Sequence, residues 1–196
     1  MSLEHAILGF LNYGSFSGYD LKKAFDASVR HFWAADQSQI YRTLAHLAEK
    51  GWTDVETVEQ DSRPDRKVYH VTPAGRDELR RWLTSPLPQE ESRSANLVQV
   101  FFASQLSEEE ALAIFRAGAE QMRAALGVFD RVPEVFFGQA VQKFPAEASL
   151  TERERFFWLL TLECGLVNAR SMLAWLESVV TRLENKDYSN TFDFEI

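Results

Sequence analysis

Apolar residues recur at helical spacing in three segments of the first quarter of the chain. Residues 2–12 place Leu, Ala, Ile and Phe side chains three and four positions apart, which predicts an amphipathic helix. A second helix is predicted from Ser17, because Asp20 stands three positions later as a capping partner. A third is predicted over 36–50, where Gly51 occupies the usual place of glycine just beyond a helix end.

The period of the pattern changes beyond the third helix. Residues 52–60 and 67–72 are rich in Thr, Val, Tyr and Trp, as strands are, and the polar segment 61–66 between them contains a proline. These features predict a β-hairpin. Thr72 followed by Pro73 then predicts the start of a fourth helix. Three helices, a hairpin and a further helix form a winged helix-turn-helix.

The second half of the chain is predicted to be helical. Apolar spacing and capping residues indicate helices over 96–104, over 107–129 and from Thr151 onwards. The predicted fold class is therefore mainly α with a small β-hairpin, in which a winged helix-turn-helix precedes an α-helical dimerisation domain. The corresponding divisions are a DNA-binding domain, a linker, a helical dimerisation and sensing domain, and a tail, at 1–85, 86–95, 96–186 and 187–196.

The helix from Thr151 carries an apolar stripe in three-four spacing over more than three heptads. At about 1.5 Å per residue it is roughly 45–50 Å long, too long for so small a domain to cover. We expect one face to pack on the helix that begins at Ser107 and the other on a partner chain; burial within one monomer is the alternative. The predicted dimerisation residues are Leu159, Leu162, Leu166, Leu173, Leu176, Val180 and Leu183.

Net charge gives no direct support to nucleic-acid binding, since the chain carries −8. The acidic excess is uneven, however. Residues 1–85 hold 11 Lys and Arg against 12 Asp and Glu, whereas 86–196 hold 10 against 17. The first half can therefore bind DNA if its basic side chains converge on one face. The chain has no apolar run of membrane-spanning length and no secretion signal at its start, so a cytoplasmic location is expected.

The residue types that commonly act in catalysis or metal binding are scattered along the sequence. His5, His31, His46 and His70 show no metal-ligand spacing, and Cys164 is the sole cysteine. The sequence lacks a phosphate-binding glycine loop and a nucleophile elbow. We therefore predict no enzyme, no metal site and no cofactor. The apolar neighbours of Cys164 favour a buried thiol, with redox sensing as the alternative.

The third helix would be the recognition helix of a helix-turn-helix, which enters the major groove. Gln and Arg side chains suit paired hydrogen bonds to adenine and guanine. A solvated helix face and an ordinary charged hairpin tip are the competing interpretations. The predicted DNA-binding residues are Ser38, Gln39, Tyr41, Arg42, Thr43 and His46 on the helix, and Arg63, Arg66 and Lys67 on the hairpin.

The order and spacing of several strings resemble the PadR family of bacterial transcriptional regulators. They cover about residues 3–85, with a looser match through Leu97 to Leu183, and this resemblance implies a homodimer built on the last long helix. Two positions depart from the family: Arg42 replaces a frequent proline, and His46 replaces a basic residue, which implies weaker or pH-dependent DNA affinity. The strings are 18–25 (GYDLKKAF), 32–33 (FW), 38–44 (SQIYRTL), 47–52 (LAEKGW), 63–69 (RPDRKVY) and 72–76 (TPAGR).

These observations predict a DNA-binding transcriptional regulator, expected to be a repressor, that binds an inverted-repeat operator as a homodimer. A winged-helix module that binds only proteins is the alternative function. The resemblance further implies release from DNA by a small aromatic effector. Aromatic side chains of the C-terminal helices could line its pocket or form plain core; they are Phe101, Phe102, Phe156, Phe157, Trp158 and Trp175.

Overall fold

The structure, a computed structural model, describes residues 2–30, 32–59, 65–87, 94–129 and 151–189. The described residues divide into two compact units. The N-terminal unit holds residues 2–87 together with 151–159. The C-terminal unit holds residues 94–129 together with 160–189. Most of the predicted linker, and the tail beyond residue 189, lie outside the described residues.

The N-terminal unit has the predicted winged helix-turn-helix order, with one additional strand. The hairpin of β2 and β3 is confirmed, and a two-residue strand, β1, pairs antiparallel with β3 to give the sheet order β1-β3-β2. The bounds are α1 Ser2–Tyr13, β1 Phe16–Ser17, α2 Gly18–Ser28, α3 Gln37–Glu49, β2 Thr53–Val58, β3 Arg66–Val71 and α4 Pro73–Leu83.

Side-chain caps fix the starts of three helices in this unit. Ser17 Oγ accepts a hydrogen bond from the backbone N–H of Asp20 at the start of α2. Asp36 and Gln39 form a reciprocal capping box at the start of α3. Thr72 caps α4, whose first residue is a proline. Each cap satisfies backbone N–H groups that have no partner within the helix, and the three predicted helix starts are confirmed.

One apolar core joins all four helices and the sheet. His5 extends it at one edge, where its ring stacks on Trp82 at 4.7 Å between centroids and hydrogen-bonds Glu78. Trp158, at the start of the last helix, packs against the same core. The core members are Ile7, Leu8, Phe10, Leu11, Phe16, Leu21, Ala24, Phe25, Ala35, Ile40, Leu44, Leu47, Tyr69, Val71 and Leu79.

The C-terminal unit consists of helices and one short 3₁₀ turn. Ser107 with Glu110, and Thr151 with Glu154, form the predicted capping contacts. The helix predicted over 96–104 ends earlier, because the chain tightens into the 3₁₀ turn. The bounds are α5 Ala95–Phe101, the 3₁₀ turn Ala103–Gln105, α6 Glu108–Phe129 and α7 Glu152–Glu184, whose first eight residues belong to the N-terminal unit.

Helices α6 and α7 pack against each other in the C-terminal unit, as the sequence predicts. Phe115 meets Trp175 edge to face at 6.1 Å between ring centroids. Leu176 lies against Gly118, where an added Cβ would be 3.4 Å from Leu Cδ2. An ion pair between Arg123 and Glu177, at 2.8 Å, flanks this contact. The three-four stripe of α7 therefore contributes to packing within the chain.

The predicted dimerisation stripe is covered unevenly. Leu162 is buried, Leu159 is exposed, and Leu166, Leu173, Leu176, Val180 and Leu183 are half-buried. Two apolar residues of α7 outside this stripe are more open, Val167 at 54% and Met172 at 43% exposure. A role of these residues in dimerisation stays a prediction.

The prediction of a buried thiol at Cys164 is wrong for the single chain. Cys164 is exposed, and its Sγ lies 3.6 Å from the side-chain amide nitrogen of Asn168 one turn later. Apolar neighbours in sequence lie on other sides of a helix, so they do not enclose the position between them.

Candidate nucleic-acid interface

Helix α3 is held in the core by one face and is open to solvent on the other. Ile40, Leu44 and Leu47 are fully buried. The predicted contact residues lie outside this buried face: Thr43 is half-buried, and the exposed ones are Ser38, Gln39, Tyr41, Arg42 and His46.

Polar groups at the start of α3 are engaged in its cap. The Asp36 carboxylate accepts from Ser38 Oγ at 2.7 Å and from the Gln39 backbone N–H at 2.8 Å. These hydrogen bonds lower the pKa of Asp36, the one from the Ser38 side chain most strongly. Gln39 Oε1 in turn accepts from the Asp36 N–H at 2.9 Å. Gln39 Oε1 is thus engaged in the cap while its amide N–H₂ group is open, and its paired contact with adenine stays a prediction.

Arg42 presents an exposed hydrogen-bonding group on α3. Its Nε lies 3.4 Å from the Ser38 carbonyl oxygen, a long contact that orients the side chain along the helix. Its two terminal nitrogens donate to no group among the described residues. The planar fork that suits guanine or phosphate is thus left open.

Tyr41 connects α3 to the start of α2. A Cβ added to Gly18 would lie 2.6 Å from Tyr41 Cε1, so the ring can occupy this place only because residue 18 is glycine. Tyr41 remains 42% exposed. The contact sets the position of the phenol at the junction of the two helices of the helix-turn-helix.

His46 and Lys50 both turn toward α1. The Glu4 carboxylate, whose side chain is 11% exposed, lies 3.4 Å from His46 Nε2 and 3.1 Å from Lys50 Nζ. His46 Nδ1 also lies 3.7 Å from Glu49. His46 is therefore surrounded by carboxylates, and its predicted role as a DNA contact requires that it leave them.

The wing, which is the β2–β3 hairpin, places its two described cations differently. Arg66 forms an ion pair with Asp20, whose same oxygen accepts from Ser17 Oγ at 2.6 Å. Lys67 is exposed and makes no ion pair with any described residue. Arg63, the third predicted wing contact, lies outside the described residues. Sequence reasoning missed Asp20 as the partner of Arg66, because ion pairs between residues 46 positions apart leave no local pattern.

The six aromatics of the predicted effector pocket are distributed over both units. Trp158 meets Tyr13 edge to face at 5.9 Å, and Trp175 meets Phe115. The four phenylalanines form two edge-to-face pairs, Phe101 with Phe102 and Phe156 with Phe157. In that order they are 76%, 52%, 57% and 51% exposed. The interpretation of these four as core is therefore wrong for the single chain. A pocket lined by all six stays a prediction.

A separate cleft of about 540 Å³ opens within the C-terminal unit. Its walls are mostly apolar, and polar groups gather at one end, where Tyr188 donates from its hydroxyl to the Glu108 carboxylate at 3.1 Å. This hydrogen bond and the Lys186 ammonium lower the pKa of Glu108, Lys186 more strongly. The lining residues are Val100, Ala103, Ser104, Leu106, Glu108, Ala111, Phe115, Val179, Arg182, Leu183, Asp187 and Tyr188.

Comparison with known proteins accounts for both halves of the chain. Residues 7–81 match the transcriptional regulator PadR-like family, and residues 92–184 match the virulence activator alpha C-terminal family. The "Probable transcriptional regulator Rv1176c" of Mycobacterium tuberculosis is 33% identical over 95% of this chain and 100% of its own length. The chain belongs to the PadR-like family of transcriptional regulators. This family consists of regulators and not of enzymes.

Solved structures of PadR proteins match over nearly the whole chain. The "Negative transcriptional regulator PadR" of Bacillus subtilis is 30% identical over 93% of this chain and 97% of its own length. Its crystal structure in complex with operator DNA gives a TM-score of 0.79 at 28% identity, covering 93% and 99% of the two chains. The same protein in complex with p-coumaric acid gives 0.74 at 29% identity, covering 93% and 95%. The winged helix with a C-terminal helical region is thus the architecture of this PadR-like chain.

Two kinds of feature are absent from the described part of the chain. None of its helices combines the length and the apolar character needed to cross a membrane. The same residues contain no group of three or more His, Cys, Asp or Glu side chains placed to hold a metal ion.

Proposed function

We propose that this PadR-like regulator binds an inverted-repeat operator as a homodimer and represses transcription. Helix α3 enters the major groove, and the wing contacts the flanking backbone. The observation that carries this proposal is the exposed face of α3, on which Arg42 holds an open guanidinium fork beside the positioned phenol of Tyr41. The operator complex and the negative regulation reported for Bacillus subtilis PadR support it.

Exposed apolar side chains of the C-terminal unit support the homodimer. Val98 and Phe101 of α5 and Val167 of α7 are each more than half exposed in the single chain. Soluble proteins rarely leave such residues uncovered along contiguous helix faces. A second copy of the chain buries them and places two recognition helices about one turn of DNA apart.

Release by a small aromatic effector is the regulatory part of the proposal. Bacillus subtilis PadR has been solved with p-coumaric acid, and the described C-terminal cleft has the volume and the apolar walls that small-molecule sites have. An effector acts by binding better to the conformation in which the recognition helices are misplaced for DNA.

Quantitative DNA binding tests the proposal against the protein-interaction alternative. Footprinting on the DNA upstream of the protein's own gene supplies the operator, and affinity is then measured from about 50 to 200 mM salt. Affinity that falls steeply with salt supports DNA binding, whereas a protein-interaction module gives no footprint and no salt dependence. The Arg42→Ala variant loses discrimination among sequences. Arg116→Ala, which removes a cation paired with Glu184 in the C-terminal unit, keeps it.

Effector binding is tested separately on the full-length protein. Titration with p-coumaric acid is followed by Trp fluorescence and then by operator affinity. A fluorescence change accompanied by weaker operator binding supports an effector of this class. A fluorescence change at constant operator affinity would contradict the regulatory role while leaving DNA binding intact.

A further inference from the structure

One row on α3 points directly away from the core. Successive residues of an α-helix are rotated by about 100°, so the side opposite Ile40, Leu44 and Leu47 carries Ser38, Arg42, Ala45 and Glu49. All four are exposed. Ala45 is absent from the set of residues predicted from the sequence to contact DNA, because a small apolar side chain on a helix suggests no ligand by itself.

The polar neighbours of this row are held by other contacts. Gln39 is part of the capping box, and Thr43 Oγ1 donates to the Gln39 carbonyl oxygen at 2.8 Å. His46 is directed at Glu4 and Glu49. On the outer face itself, Ser38 Oγ donates to the Asp36 carboxylate at 2.7 Å, and the Glu49 carboxylate lies 3.7 Å from His46. Arg42 and Ala45 therefore remain as the side chains of this face that can meet a base edge without breaking a contact.

The chemistry of the two side chains defines the bases that they fit. A guanidinium fork pairs with O6 and N7 of guanine, and an alanine methyl group packs on the C5 methyl group of thymine. Residues three apart on a helix have Cβ atoms about 5–6 Å apart. Base pairs are stacked about 3.4 Å apart, so the two side chains reach neighbouring base pairs.

We propose that Arg42 and Ala45 together specify a guanine and a neighbouring thymine in each operator half-site, with Ala45 recognising the thymine methyl group. This inference rests on the proposed function, since it assigns the bases that the proposed DNA-binding face selects. Tyr41, fixed against Gly18, contacts the backbone beside them.

The test uses the full-length protein and an operator obtained by selection from randomised duplexes. Each thymine of the half-site is replaced singly by deoxyuridine, which removes only the methyl group. One replacement, next to a selected guanine, is expected to weaken binding about fourfold per half-site, the value of one buried methyl group. Replacing that guanine by 7-deazaguanine removes the N7 acceptor and weakens binding of the parent but not of Arg42→Ala.

Matched variants assign the methyl contact to one residue. Ala45→Gly binds the thymine and deoxyuridine operators equally. Ala48→Gly is the control, because it imposes the same loss of helix propensity on α3 at a half-buried position, and it keeps the fourfold difference. The inference is overturned if the parent binds its operator with no sensitive thymine, or if Ala45→Gly keeps the difference; the proposed function then still stands. Failure to select any operator overturns both.

Discussion

The two units bury their apolar side chains to very different extents. In the N-terminal unit seven large side chains are less than 2% exposed, and they come from α1, α2 and α3. In the C-terminal unit the buried apolar residues are Ala111, Phe115, Ala119 and Leu162, two of which are alanines. The same unit exposes Leu97, Val98, Phe101, Phe102, Val167 and Met172.

This difference separates what each unit needs in order to be stable. The N-terminal unit has a core that its own chain completes, so its surface is free to carry polar groups toward DNA. The C-terminal unit has two packed helices and leaves apolar faces exposed to solvent, which is energetically unfavourable. Its full stability is therefore expected to depend on protein concentration, whereas that of the N-terminal unit is not.

Truncation of a core leucine in the N-terminal unit gives the largest expected effect. Leu44→Ala removes a fully buried side chain and is expected to lower the free energy of unfolding by about 2–5 kcal/mol. Phe101→Ala removes a larger side chain of the C-terminal unit that is 76% exposed. It is expected to change the free energy of unfolding of the N-terminal unit by less than about 0.5 kcal/mol. Denaturant titrations followed by Trp fluorescence measure both. Equal losses would contradict the contrast between the units.

Charges placed on two faces of α7 distinguish packing within the chain from packing between chains. Val167→Asp puts a carboxylate on an exposed apolar face and is expected to dissociate the proposed dimer while helix content is kept. Leu176→Asp, at the contact with Gly118, is expected to separate α6 from α7 and lower helix content as well. Light scattering over a dilution series and circular dichroism report the two outcomes. A Val167→Asp protein that stays dimeric would exclude that face from the interface.

Local signals in the sequence were sufficient for most of the N-terminal fold. Caps such as Asp36 with Gln39 act over three residues, and Gly51 after α3 has the positive φ of 69° that favours glycine at a helix end. These features depend on near neighbours in the chain, so a pattern of a few residues reveals them. Strand β1 was missed because its two residues are ordered by pairing with distant ones, as Phe16 pairs with Tyr69.

The sequence was sufficient to predict which surface carries the candidate site. It was not sufficient to predict which polar side chains of that surface are free of intramolecular partners. Helical spacing identified which face of α3 is exposed. It did not show that Glu4 engages His46, or that Asp20 engages Arg66, because these partners are 42 and 46 positions away and are brought close only by folding. For α7 the spacing identified apolar stripes, but spacing alone does not say whether the same chain or a partner covers them.

Protonation of Glu78 gives a smaller expected effect on the N-terminal unit. Hydrogen bonds from His5 and then Arg81 lower the pKa of Glu78 from its ordinary value of 4.5. A lowered carboxylate pKa contributes stability above the ordinary value, and this contribution is lost as pH falls through the folded-state pKa. The free energy of unfolding of the N-terminal unit is thus expected to decrease as the pH drops below about 4.5. Glu78→Gln is expected to lower this free energy by about 1.5–3 kcal/mol at neutral pH and to flatten its dependence on pH.

Salt provides the comparison with the C-terminal unit. The Glu78 side chain is only 10% exposed, so its hydrogen bonds are expected to persist in concentrated salt. Glu108, whose pKa is lowered by Lys186 and Tyr188, is 64% exposed, and its ion pair is expected to be screened. Unfolding curves of Glu78→Gln and Glu108→Gln at low and high salt measure this. If the contribution of Glu78 to the free energy of unfolding vanished at high salt, its carboxylate would be exposed to solvent and not buried.

The smallest expected change in stability occurs at Gly18, where a structural contact and the proposed DNA contact meet. In Gly18→Ala the new Cβ meets the far edge of the Tyr41 ring, which can move away by side-chain rotation. We expect a loss of less than about 1 kcal/mol in the free energy of unfolding but a several-fold loss of operator affinity, because the phenol is displaced. Gly9→Ala is the matched control: its Cβ meets nothing within 4 Å on α1, so it should stabilise the helix by about 0.5–1 kcal/mol without changing affinity. Unfolding midpoints and operator titrations measure both variants. A large loss of stability in Gly18→Ala at unchanged affinity would make Tyr41 a packing residue and remove it from the DNA-binding face.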